Sequence, residues 1–173
     1  MSVLKILKYP SKLLKEKSLP VEKFNSDLKH IVKDMFETMY TFNGIGLAAN
    51  QVGINKRIIV VDLRATEQNH RTSFVPIALV NPEILNYSKK KIVAEEGCLS
   101  FPGYYDKVSR AESIEVVFYD ITGKKNTIVA DGLLARVIQH EIDHINGIRF
   151  IQRMSIPRQI KFHLLYLTGK YKF

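Results

Sequence analysis

The segment GLLARVIQHEIDHIN, residues 132–146, constrains this chain more than any other stretch. It follows Asp131, a residue type that caps helices, and precedes Gly147, which suits the left-handed position beyond a helix C-terminus. Its apolar residues occupy more than one face, so the spacing predicts a helix over 132–146 in the middle of a domain, surrounded by sheet. The same segment holds H-E-x-x-H at His140, Glu141 and His144. Side chains at i and i+4 stand one turn apart on one helix face, so both imidazoles can reach one metal ion. Glu141, turned by about 100° from His140, is placed to address a water beside that ion.

Short elements surround this helix. Phe24, Leu28, Ile31, Val32, Met35, Phe36 and Met39 fall on one helical stripe, with Asn25 or Ser26 as the cap and Gly44 and Gly46 opening a loop after it. RIIVVDL (57–63) and IALVNPEIL (77–85) are β-branched runs between turn formers and read as buried strands. The polar stretch between them, 64–74, reads as an exposed loop carrying His70. Residues 113–119 and 126–130 flank DITGKK and predict a hairpin turning at Thr122 to Lys124. After Pro157 a terminal helix is expected, with apolar Ile160, Leu164, Leu165 and Leu167 and a basic end. The pattern predicts an α+β fold, with antiparallel or mixed β-sheets packed around a central metal-binding helix carrying H-E-x-x-H, and an N-terminal and a C-terminal helix. With 173 residues and no repeat or linker-like tract, one catalytic domain over 1–173 is expected.

Two imidazoles leave a catalytic metal site incomplete. The extended pattern H-E-x-x-H-x-x-G-x-x-H fails because Phe150 stands where a third histidine would be. No glutamate follows Glu141 to ligate from a later helix, and His163 lies in a short terminal helix near the chain end. Upstream, Cys98 in EEGCLSFPG sits at the end of an expected strand, where a thiolate is presented rigidly towards the helix. Cys98, His140 and His144 then make three protein ligands and leave a fourth position open, as hydrolysis requires. The residues point to metal-dependent amide hydrolysis with Glu141 as general acid/base.

Composition narrows the setting. There is no run of about 18 uncharged apolar residues and no secretory leader, so a soluble, cytoplasmic protein with no membrane partner is expected. The net charge of +9, with Arg153, Arg158, Lys161, Lys170 and Lys172 near the C-terminus, suits either a solvated face or contact with the ribosome. No RRM, zinc-knuckle or helix-turn-helix pattern accompanies it.

Three segments, GIGLAANQ (44–51), EGCLS (96–100) and QHEIDH (139–144), resemble the motifs of the peptide deformylase family in order and spacing. The resemblance runs from VLKILKYP near the N-terminus through SRAESIEV to the helix beyond Phe150. It implies removal of the formyl group from the N-terminal formylmethionine of newly synthesised polypeptides, releasing formate, with N-formylmethionyl nascent peptides as partners. It also implies one divalent metal, Fe(II) natively, held by Cys98, His140 and His144; the same donors suit Zn(II), Co(II) or Ni(II). The resemblance adds the Gln51 amide and the Leu99 N–H as donors to the formyl oxygen, and Gly46 and Gly97 as positions beside the peptide main chain. Glu141 would take a proton from the attacking water and return one to the leaving amine.

Leu133, Arg136 and Val137 share the helix face of His140 and, with Ile45, are candidate walls of a methionine pocket. Glu96 and Arg110 are expected to form a supporting ion pair. The start YPSKLLK, Ile145 and Arg149 depart from the commoner family pattern, and Tyr104 and Tyr105 bear on preference beyond methionine. A monomer is expected. A general metallopeptidase lacks its downstream ligand here, and a ribosome-binding protein with a structural metal would need a fourth protein ligand.

Overall fold

The computed structural model describes residues 2–64 and 75–171. Most of the loop expected over 64–74, His70 included, lies outside the described residues. Helix α1 (Ser26–Thr41) begins where Asn25 accepts a hydrogen bond from the Leu28 N–H at 3.2 Å. It buries Leu28, Val32, Met35 and Met39 of the predicted stripe and leaves Ile31 and Phe36 half-buried. The chain then turns through Asn43 and Gly44 into a short strand, β1 (Gly46–Ala48).

The strands β2 (Ile58–Val61), β3 (Ile77–Tyr87), β6 (Ser113–Tyr119) and β7 (Lys125–Asp131) complete an antiparallel sheet ordered β1-β2-β3-β6-β7. Strands β4 (Lys91–Gly97) and β5 (Tyr105–Ala111) pair as a separate antiparallel hairpin. The α+β expectation holds, and the named strands pair antiparallel throughout. β2 explains its own composition: Ile59 and Val61 pack with one apolar cluster, Ile58 and Val60 with another on the opposite face. A strand covered on both faces has no polar side to show, hence the unbroken IIVV.

Helix α2 (Gly132–Ile145) fills the first of those clusters with Ala135, Val137, Ile138, Ile142 and Ile145. Burying an isoleucine of this kind is worth roughly 1.5–3 kcal/mol, which anchors α2 against the sheet. Asp131 occupies the cap position but makes no capping hydrogen bond, contrary to expectation. It is still paired with Ser113 as the last residue of β7, so the strand runs directly into the helix and Gly132, at φ +52°, makes the turn. Gly147, at φ +73°, ends the helix as predicted.

Helix α3 (Ile156–Leu167) starts with Pro157 in its first turn. Its docking residue is Phe162, buried among Tyr9, Phe101 and Tyr104. Three of the four apolar residues that marked the helix in the sequence face outward instead, Ile160, Leu164 and Leu167 at 54%, 57% and 79% exposure, while Leu165 is half-buried. Among the described residues, no helix is long and apolar enough to cross a membrane.

Candidate metal and active site

The end of the β4–β5 hairpin meets α2 at a cleft. Cys98 follows β4 directly, while His140, Glu141 and His144 come from the C-terminal half of α2. One donor atom each from Cys98, His140 and His144 lie within 4.8 Å of one another. Cys98 Sγ is 3.1 Å from His144 Nε2, and the two imidazole rings stand 5.0 Å apart at 64°. A thiolate with two imidazoles is a donor set for a divalent transition ion, and three such groups brought this close in a buried setting fit one. Glu141 Oε2, buried without a hydrogen-bond partner among the described residues, faces the same space.

Glu96 organises the wall behind the imidazoles. Its Oε2 pairs with His140 Nδ1 at 2.9 Å and accepts from Arg110 Nη2 at 3.0 Å. Its Oε1 accepts from Arg110 Nε at 3.0 Å and from Arg136 Nη1 at 2.6 Å. Arg110 continues to Asp143, which also receives Arg153. The expected Glu96–Arg110 pair is therefore buried, and it extends to a metal-ligand candidate that sequence reasoning had not joined to it. Orienting a ligating imidazole through its second nitrogen is the usual task of such a carboxylate.

The electrostatics follow from burial and these partners. Burial alone would raise Glu96, but the hydrogen bonds from His140 and Arg110 hold it well below the ordinary carboxylate range. Burial pushes the Glu141 carboxyl up to about 7, against the pull of His140 and Arg110. Burial opposes protonation of His140, yet Cys98 and Glu96 push it well above its ordinary value. Burial and the neighbouring His140 drive His144 well below.

The cleft has a volume of about 850 Å³. Ile45, Gly46, Gln51, Gly97, Leu99, Leu133, Arg136 and Val137 all line it, with Cys98, His140 and Glu141 at its base. His144 is fully buried behind them. Gln51 is buried with its Oε1 accepting from the Ala48 N–H at 2.8 Å, which turns its Nε2 towards Ser100 Oγ at 3.2 Å and Cys98 Sγ at 3.5 Å. Gly46 is required by contact: a Cβ there would sit 2.6 Å from Glu141 Oε1 and 2.7 Å from a Val137 methyl.

Two predicted positions part company. Tyr105 lines the cleft, whereas Tyr104 turns away to pack with Phe162 and Tyr171. His163 is exposed and bonded to the Gln159 carbonyl of its own helix, away from the donor cluster. Sequence reasoning missed Ser100 beside Gln51, and Asn50, whose Nδ2 donates to the His144 carbonyl at 2.6 Å. Both lie inside the motifs already singled out, which was their only signal.

Comparison with known proteins places the chain among relatives. The family model described as polypeptide deformylase matches residues 3–159. A peptide deformylase from Thermodesulfovibrio yellowstonii is 46% identical over 170 residues, covering 98% of this chain and all of that protein. The solved peptide deformylase of Ehrlichia chaffeensis superposes with a TM-score of 0.86 at 38% identity, covering 98% of both chains. That of Plasmodium falciparum gives 0.85 at 40% identity, covering 92% of this chain and 91% of its own. With the family model matched over most of its length and such relatives spanning nearly all of it, this chain belongs to the peptide deformylase family.

Proposed function

We propose that this chain hydrolyses the N-formyl group from the terminal formylmethionine of newly made polypeptides, releasing formate, with one divalent metal held by Cys98, His140 and His144. The observation that carries this reading is the convergence of those three donors, with Cys98 and His140 lining one apolar cleft beside Glu141 and Gln51 and His144 buried behind them. A bound ion supplies Lewis acidity, which polarises a carbonyl and makes water nucleophilic near neutral pH. Glu141 accepts the proton of the attacking water and returns one to the departing amine. The Gln51 amide, aimed by its bond from Ala48, and the Leu99 N–H donate to the oxygen on which charge develops. Ile45, Leu133 and Val137, with Arg136 beside them, wall the methionine side chain, and Gly46 and Gly97 let the peptide main chain come close.

The ion we assign is Fe(II), with Zn(II), Co(II) or Ni(II) able to take its place, since the donor set suits all four. We infer one catalytic domain, working as a monomer in the cytoplasm, where newly made formylated chains are met. Contact with the ribosome is inferred through the basic C-terminal segment with Arg153, Arg158, Lys161, Lys170 and Lys172. The test is formate release from a formyl-Met peptide by anaerobically purified protein, with metal analysis of wild type and Cys98→Ser. One ion per chain, lost with activity in Cys98→Ser, is expected; full metal content in that variant would remove Cys98 from the ligand set.

A further inference from the structure

Arg136 lies one turn before His140 on α2, and its guanidinium is engaged by Glu96 and by two backbone carbonyls of the hairpin. Nη1 donates to Glu96 Oε1 at 2.6 Å and to the Val108 carbonyl at 3.0 Å, and Nη2 donates to the Ile92 carbonyl at 2.6 Å. Ile92 belongs to β4 and Val108 to β5, so one side chain ties both strands of the hairpin to α2. Glu96 stands two residues before Cys98 and is also the partner of His140 Nδ1. Successive turns of α2, at Arg136 and His140, therefore grip the same carboxylate at the end of the hairpin from which Cys98 departs. Arg110 braces the other side through Asp143, but its bonds to these carboxylates leave the Ile92 and Val108 carbonyls to Arg136.

We propose that Arg136 is a positioning residue. By fastening β4 and β5 to α2 and holding Glu96 against His140, it sets the separation at which Cys98 meets His140 and His144, and so governs how firmly the site retains its metal. The inference rests on the three-donor site proposed above. A planar guanidinium serves a carboxylate and two carbonyls in fixed directions, which a lysine ammonium does not reproduce. Hydrogen bonds behind metal ligands typically carry about 10–100-fold in metal affinity or activity. A plain pocket wall would need only the apolar stem of Arg136, and its loss would show in substrate binding instead.

The test uses full-length wild type, Arg136→Met and Arg136→Lys loaded with Co(II). It follows metal release into excess chelator, the visible Co(II) bands that report ligand geometry, and kcat and KM on a formyl-Met peptide. Arg136→Met is expected to release metal about ten-fold faster or more, with shifted bands, a lowered kcat and a KM within about twofold. Arg136→Lys is expected to lie between the two. Wild-type release from Arg136→Met, with or without a raised KM, overturns the proposal. If circular dichroism shows Arg136→Met unfolded, Arg136→Lys decides, and release at the wild-type rate overturns it. Wild-type protein that binds no metal, or a Cys98→Ser variant that binds it equally well, would instead defeat the metal-site reading on which the role of Arg136 depends.

Discussion

Glu141 combines a carboxyl raised to about 7 with an oxygen that has no hydrogen-bond partner among the described residues, which suits a group that both takes and gives a proton near neutrality. Glu141→Gln keeps size and hydrogen bonding while removing the base. It is expected to retain metal and to lose turnover on the order of 10²-fold or more, read by metal analysis and formate release. Turnover within about threefold of wild type would place proton transfer on another group. The adjacent glycine makes a second case. Gly46→Ala puts a methyl 2.6 Å from Glu141 Oε1, so either the carboxylate or β1 must shift. The expected outcome is a folded protein whose kcat/KM falls by about 10²-fold, since misplacing a catalytic group by an ångström costs that order. Unchanged kinetics would show that the cleft absorbs the methyl.

The elements were legible where burial was one-sided or complete. The stripe of α1 follows helical period, and the enclosed IIVV of β2 and the multi-faced apolar α2 follow from having neighbours all round. Of the β4–β5 hairpin only a strand ending before Cys98 was expected, because KIVAEEG and YDKVSRA bury few apolar side chains and hide Glu96 and Arg110 instead. Spacing likewise put Arg136 on the face of His140, correctly, but could not say where so long a side chain ends. In α3 most of the apolar residues visible in sequence stayed outside, and the anchor was Phe162.

A polar joint between elements gives a further test. Past the end of β2, Asp62 accepts from the Tyr40 hydroxyl of α1 at 2.7 Å and from Arg64. Although burial works upward, those bonds hold its carboxyl below the ordinary value of 3.8. A carboxylate depressed on folding adds stability that is present above its unfolded pKa and disappears as pH falls through the folded one. Asp62→Asn should therefore cost about 1 kcal/mol at pH 7, limited by the exposure of Arg64, and less at pH 3. Urea unfolding at both pH values checks this, and an equal loss at each would assign the effect to shape alone.

At the scale of the whole molecule, the cleft gathers the N-terminal segment, the loop into β1, the hairpin end and α2 around one apolar space. Formyl-Met peptides should exceed formyl-Gly peptides in kcat/KM by an amount matching burial of a methionine side chain, roughly 1.5–3 kcal/mol. Equal values would deny Ile45, Leu133 and Val137 their place as walls. The parts that meet here are far apart along the chain, and the bond from Asn50 to the His144 carbonyl spans 94 residues. During translation, β1 and the turn bearing Gln51 leave the ribosome long before α2 exists to receive them. Assembly of the three donors therefore waits until His144 has emerged. Nascent chains stalled before residue 132 should accordingly take up no metal at this site, and each new molecule must acquire its ion only after α2 has been made.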